Sequence, residues 1–126
     1  MTRYRYNHQV NPAAPFVHVS LQALEGTAEV VELPAQLDTA ADITVVPEIL
    51  VLHARLVLFG TMEVAAFGGI VTTVRTFLAR VQIRGEKAVV IKVVSSAHEP
   101  HILLGRDILN SHRIVLDGPG GFLEIE

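Results

Sequence analysis

The sequence predicts an all-β chain of many short strands, closed into a barrel or packed as a sandwich. Three observations carry that expectation. Val and Ile come in short runs, as in Val30-Val31, Val45-Val46, Val89-Val90-Ile91 and Val93-Val94. Gly, Pro, Asn and Asp bound those runs, and these are turn residues. No long stretch holds a 3.6-residue apolar period.

Taken in order, strands are expected at 15–23, 28–37, 43–46, 56–66, 69–84, 87–95, 101–104, 113–117 and 121–126. Residues 1–14 form an N-terminal arm. Its Arg3-Tyr4-Arg5-Tyr6 stretch is expected to pack on its own protein or on a partner subunit rather than on RNA. A helical turn near Glu48–Leu52 interrupts the apolar region after the third strand. Small residues flank one aromatic in Ala65-Ala66-Phe67-Gly68-Gly69, which predicts a hairpin tip. In the strand that follows, Phe77, Ala79, Val81 and Ile83 face one side, and Thr76, Arg80 and Gln82 the other. Gly85-Glu86 separates two alternating strands, and Asp117-Gly118-Pro119-Gly120-Gly121 reverses the chain. One short helix, Arg106 to Ser111, follows Gly105.

Composition excludes several function classes. The chain has 126 residues, which suits a single domain over 1–126, and 50% are hydrophobic. Cysteine is absent, so disulfides, thiol catalysis and Cys-zinc sites are excluded. A net charge of -3 argues against nucleic acid as a partner. The most apolar stretch, Ile43 to Ile70, is broken by Pro47, Glu48, His53, Arg55 and Glu63, so no membrane span is expected. The N-terminus shows no signal peptide, and a cytoplasmic location is expected.

Few residues suit catalysis. There is no Gly-x-Ser-x-Gly elbow and no phosphate loop. His98-Glu99-Pro100-His101 holds the only close histidine pair, at no recognised ligand spacing, so no metal and no cofactor are expected. Four aspartates remain: Asp38, Asp42, Asp107 and Asp117. Asp38 stands out, because it leaves an apolar strand into a loop of small residues, Leu37-Asp38-Thr39-Ala40-Ala41-Asp42. A semi-buried carboxylate there needs hydrogen bonds, and Thr39 and the loop amides offer them. An Asx-type turn would account for the loop taken alone.

The landmarks taken together resemble the retropepsin family of aspartic proteases, over roughly Pro15 to Glu126. Pro15-Phe16-Val17-His18-Val19 is similar to its first long strand. Leu37 to Asp42 resembles its Asp-Thr-Gly catalytic loop. Val64-Ala65-Ala66-Phe67-Gly68-Gly69-Ile70 resembles its flap, with Val74-Arg75-Thr76-Phe77 in the return strand. Pro100 to Leu109, containing Leu103-Leu104-Gly105-Arg106-Asp107, resembles the segment and short helix behind the site. Arg113 to Glu126 resembles the closing strands.

The resemblance implies a retropepsin-like closed β-barrel, the acid protease fold with one lobe per chain and one short C-terminal helix. It implies an aspartic endopeptidase hydrolysing peptide bonds with an activated water. Such a site needs two carboxylates sharing a proton. This chain has one such loop, so activity would require a homodimer with Asp38 from each chain. Asp38, Thr39 and Ala40 would form the catalytic loop, with Thr39 bonding across to the partner loop. Asp42 and Arg106 would form an ion pair beneath the site. Ala41, Asp42, Ile43, Val45, Val64, Ala65, Ala66, Phe67, Gly68, His101 and Leu103 would contact a peptide or protein substrate.

Three departures from the family pattern are present. Ala40 replaces the usual glycine, Ala65-Ala66 replace flap glycines, and a C-terminal hairpin continues to Glu126. That hairpin is expected to build the dimer sheet. The alternative to a protease is a catalytically silent dimerisation or peptide-binding module with the same fold, and Ala40 is its main support. An unrelated small barrel with a chance Asp-Thr-Ala turn leaves the ordered landmarks unexplained.

Overall fold

A computed structural model of the chain describes residues 1–25, 30–65 and 68–126. Among the described residues, ten strands and two short helices follow one another. They are β1 (Thr2–Arg5), β2 (Phe16–Gln22), β3 (Val31–Leu37), β4 (Val45–Pro47), α1 (Glu48–His53), β5 (Val57–Ala65) and β6 (Val71–Ile83). Then come β7 (Val89–Ser96), β8 (Ile102–Leu104), α2 (Arg106–Leu109), β9 (Ile114–Asp117) and β10 (Phe122–Ile125).

The main sheet runs β2-β3-β8-β4-β7-β6-β5, and β2 also pairs with β6. That extra pairing closes six strands into a barrel and leaves β5 outside it. β6 is long enough to serve two purposes. Its first half pairs with β5 as a projecting hairpin, and its second half pairs with β7 and β2 in the barrel wall. Alternation sets which residues face inward. Ala79, Val81 and Ile83 of β6 are buried, as are Val17, Val19 and Leu21 of β2. Leu104 of β8 joins them, and Ile108 and Leu109 of α2 cover one end.

Two features differ from expectation. Thr76 is expected to face outward with Arg80 and Gln82, yet it is only 1% exposed. It stands in a cross-strand row through Val94, Val45 and Leu103, where the wall turns from barrel exterior into cleft. The N-terminal arm contributes a strand. β1 pairs with β10, and β10 with β9, in a separate three-stranded sheet. The Arg3 guanidinium lies 4.2 Å from the Phe122 ring centre and 2.9 Å from Glu124 Oε1. The arm therefore packs on its own chain. The expected helical turn near Glu48–Leu52 is α1, a second short helix beside α2.

Candidate active site

Topology determines where Asp38 sits. β8 lies between β3 and β4, so the chain leaving β3 must cross the end of β8 to enter β4. Asp38 is the first residue of that crossing. Its backbone N–H donates to the Leu104 carbonyl of β8 at 3.0 Å. Its side-chain Oδ1 accepts the Ala40 amide at 3.1 Å, and its carbonyl accepts the Ala41 amide at 3.2 Å. An Asx-type turn is thus present, as the sequence suggests. Asp38 is half-buried, whereas Thr39, Ala40 and Asp42 are exposed.

The segment after β8 clamps the crossing from below. Arg106 Nη1 donates to the Thr39 carbonyl at 2.7 Å, and Nη2 to Asp42 Oδ1 at 2.6 Å. The Arg106 backbone N–H donates to the Ala41 carbonyl at 2.9 Å. One arginine therefore ties three loop residues, two through its rigid fork of donors and one through its backbone. The ion pair is open to solvent, with Asp42 87% and Arg106 41% exposed at the side chain. Its electrostatic contribution to stability is accordingly small. Its value lies in fixing the loop.

A second clamp is buried. Thr44 is fully enclosed, and its hydroxyl donates to Asp107 Oδ1 at 2.7 Å while its amide donates to Oδ2 at 2.9 Å. The same hydroxyl accepts the Gly105 amide at 3.1 Å. Gly105 is required by close approach. A Cβ there would lie 2.7 Å from the Ile43 carbonyl carbon and 2.9 Å from its oxygen. The Gly-Arg-Asp tripeptide thus has three separate jobs: room, clamp and anchor.

A cleft of about 370 Å³ opens between the β5–β6 hairpin and the sheet. Val45, Val64 and Leu103 line it, with Val74 and Val94. His98 and Glu99 also line it. Ile43 and His101 lie outside this lining. His101 instead packs edge-on against Phe16, ring centres 5.0 Å apart. Ala65 ends β5 and is exposed, as is Gly68, whose φ of +90° favours glycine. The expected contacts at Ala66 and Phe67 fall outside the described residues.

No family model matches the sequence, and no curated protein matches it. Solved structures do. EIAV protease complexed with the inhibitor HBY-793 superposes with a TM-score of 0.60 at 21% identity, covering 86% of this chain and 93% of that one. The foamy viral protease-reverse transcriptase, in complex with RNA/DNA hybrid, superposes at 0.56 and 15% identity, covering 79% of this chain and 12% of that one.

The chain has a retropepsin-like fold.

Within the retropepsin-like barrel, Arg106 joins the Asp38 loop to the Gly-Arg-Asp segment, and Val64, Thr72 and Val74 of the β5–β6 hairpin line the cleft. Thr44 and Asp107 were not expected as a clamp. Their spacing of 63 residues leaves no local sign, although a threonine before a Val-Val run and an aspartate after Gly-Arg are both visible. Ala40 sits at no strain cost in φ. Among the described residues, Arg55 is the only non-glycine with positive φ.

Proposed function

We propose that the chain is an aspartic endopeptidase active as a homodimer, with the whole chain acting as one domain. The observation that carries this reading is the Asp38 loop. A half-buried carboxylate is held by the Ala40 amide in a loop of the retropepsin-like barrel, and Arg106 ties that loop at three points. One chain supplies one such carboxylate. A second copy would bring the other Asp38 alongside it about a two-fold axis. The exposed Thr39 and Ala40 leave that side of the loop open to a partner. The free edge of β9, with Leu116 50% exposed, offers further apolar surface for it.

Two carboxylates that close cannot both ionise, so the pair holds one proton. The ionised member takes a proton from water, and the water oxygen attacks the scissile carbonyl carbon. The protonated member donates its proton to the carbonyl oxygen. The tetrahedral intermediate collapses as the C–N bond breaks: the leaving amine takes up a proton from the dyad, and one hydroxyl of the intermediate returns a proton to it. Peptide lies extended between hairpin and floor, with backbone hydrogen bonds of the β-addition kind. Val45, Val64 and Leu103 receive its apolar side chains. The negative φ at Ala40 spares alanine the penalty of a left-handed position, which supports the protease reading.

A degenerate peptide library incubated across acidic to neutral pH tests the reading. Cleavage by wild type and none by Asp38→Asn, with the same sedimentation profile, supports it. Absence of cleavage from a protein shown to be dimeric overturns it in favour of a peptide-binding module.

A further inference from the structure

A second cavity adjoins the cleft along β6 and shares Val74 with it. It measures about 490 Å³ and lies between α1 and the β6 residues Thr73, Arg75 and Phe77. That size suits a small organic ligand. Its floor is apolar, from buried Val51 and Leu56 and partly buried Phe77, with exposed Leu52 at the rim. Arg55 and Arg75 line it with a single opposing carboxylate, Glu48. Neither arginine forms an ion pair among the described residues.

The way α1 ends makes Arg55 the informative residue. Leu56 N–H donates to the Val51 carbonyl at 3.1 Å and Arg55 N–H to the Leu52 carbonyl at 3.2 Å. These bonds form a Schellman motif, whose left-handed position normally holds glycine. Here it holds arginine at φ +54°. A long charged side chain in that conformation is disfavoured, and such outliers gather at binding sites. The motif also points to why the floor is formed: Val51 and Leu56 are its paired apolar residues.

We infer that this cavity binds a small anionic amphiphile, with the anion held between Arg55 and Arg75 and the apolar body on Val51, Leu56 and Phe77. Two guanidiniums against one carboxylate leave the lining cationic, and the floor needs apolar cover. The cavity shares Val74, Ser95 and Ala97 with the cleft. A ligand there would stiffen the hairpin's return strand. The inference does not depend on catalysis, and its test reads binding alone.

The probes are anilinonaphthalene sulfonate and its neutral counterpart phenylnaphthylamine, followed by fluorescence titration. Arg55→Gly should raise the melting temperature, because glycine suits the left-handed position, and yet weaken sulfonate binding about tenfold. Arg75→Gln should weaken it similarly with little change in melting temperature. Neither substitution should alter phenylnaphthylamine binding. A more stable protein that binds the anion less well cannot be explained by misfolding. Sulfonate affinity unchanged in both variants, or equal losses for both dyes, would overturn the inference. Failure of peptide cleavage would leave these results untouched, so the two readings fail separately.

Discussion

At Gly105 the crossing loop passes so near β8 that no side chain fits. An added Cβ would meet backbone atoms of Ile43 rather than the end of a flexible side chain. Gly105→Ala should therefore destabilise the fold by about 1–3 kcal/mol, the usual cost of overpacking, read as a lower denaturation midpoint. Thr44 makes a different kind of demand. Its hydroxyl donates to Asp107 and accepts from Gly105 in a fully enclosed position. Thr44→Val keeps the shape but leaves a carboxylate oxygen and an amide short of partners, at about 1–3 kcal/mol. Thr44→Ser should recover most of that loss. Equal midpoints for the valine and serine variants would show that the hydroxyl is irrelevant.

At the scale of elements, the Asp38 loop is held by α2 rather than by its own strands. Arg106 reaches Thr39 and Asp42 from the helix start, and both contacts are partly open to water. Arg106→Lys should cost under about 1 kcal/mol of stability, because exposed ion pairs contribute little. It should cost far more in peptide turnover, because a lysine cannot bind two loop positions with one planar fork. Parallel denaturation and cleavage assays separate the two effects, and proportional losses would contradict the positioning role. The terminal sheet depends on β1 in a comparable way. Tyr4 stands opposite Leu123, and Thr2 opposite Ile125, both buried. Removing residues 1–6 should leave β10 as a bare edge, with faster amide exchange in β9 and β10 than in the barrel strands.

At the scale of the whole molecule, one chain carries one Asp-Thr-Ala loop, so the proposed site is a property of two chains. Turnover per chain should fall on dilution as the dimer dissociates. At constant total protein, replacing half of the wild type with Asp38→Asn should reduce activity to about one quarter, if subunits pair at random and only the doubly wild-type dimer works. A fall to one half would mean that each chain acts alone. The pH profile of cleavage should report two ionisations belonging to the pair rather than to either aspartate.

Most strands were legible because their cause is local. Period-two alternation in Phe77 to Ile83 is written in consecutive residues, and burial of Ala79, Val81 and Ile83 follows from it. The Asp38 loop, the hairpin glycines and the Gly-Arg-Asp segment were legible as an ordered set of short motifs. What only the tertiary structure decided has partners far away in the chain. β1 exists because β10 lies beside it, and Thr2-Arg3-Tyr4-Arg5 alone carries no apolar run to announce a strand. Thr76 is buried because its row crosses to Val94 and Val45, a pairing that no local pattern contains. His101 packs edge-on against Phe16, a ring far away in the chain. Arg55 takes a left-handed conformation because α1 must end there for Val51 and Leu56 to reach the core. Alternation and turn chemistry act over a few residues and leave their mark in sequence. Pairing, clamping and cavities depend on which distant residues meet, and folding alone brings those together.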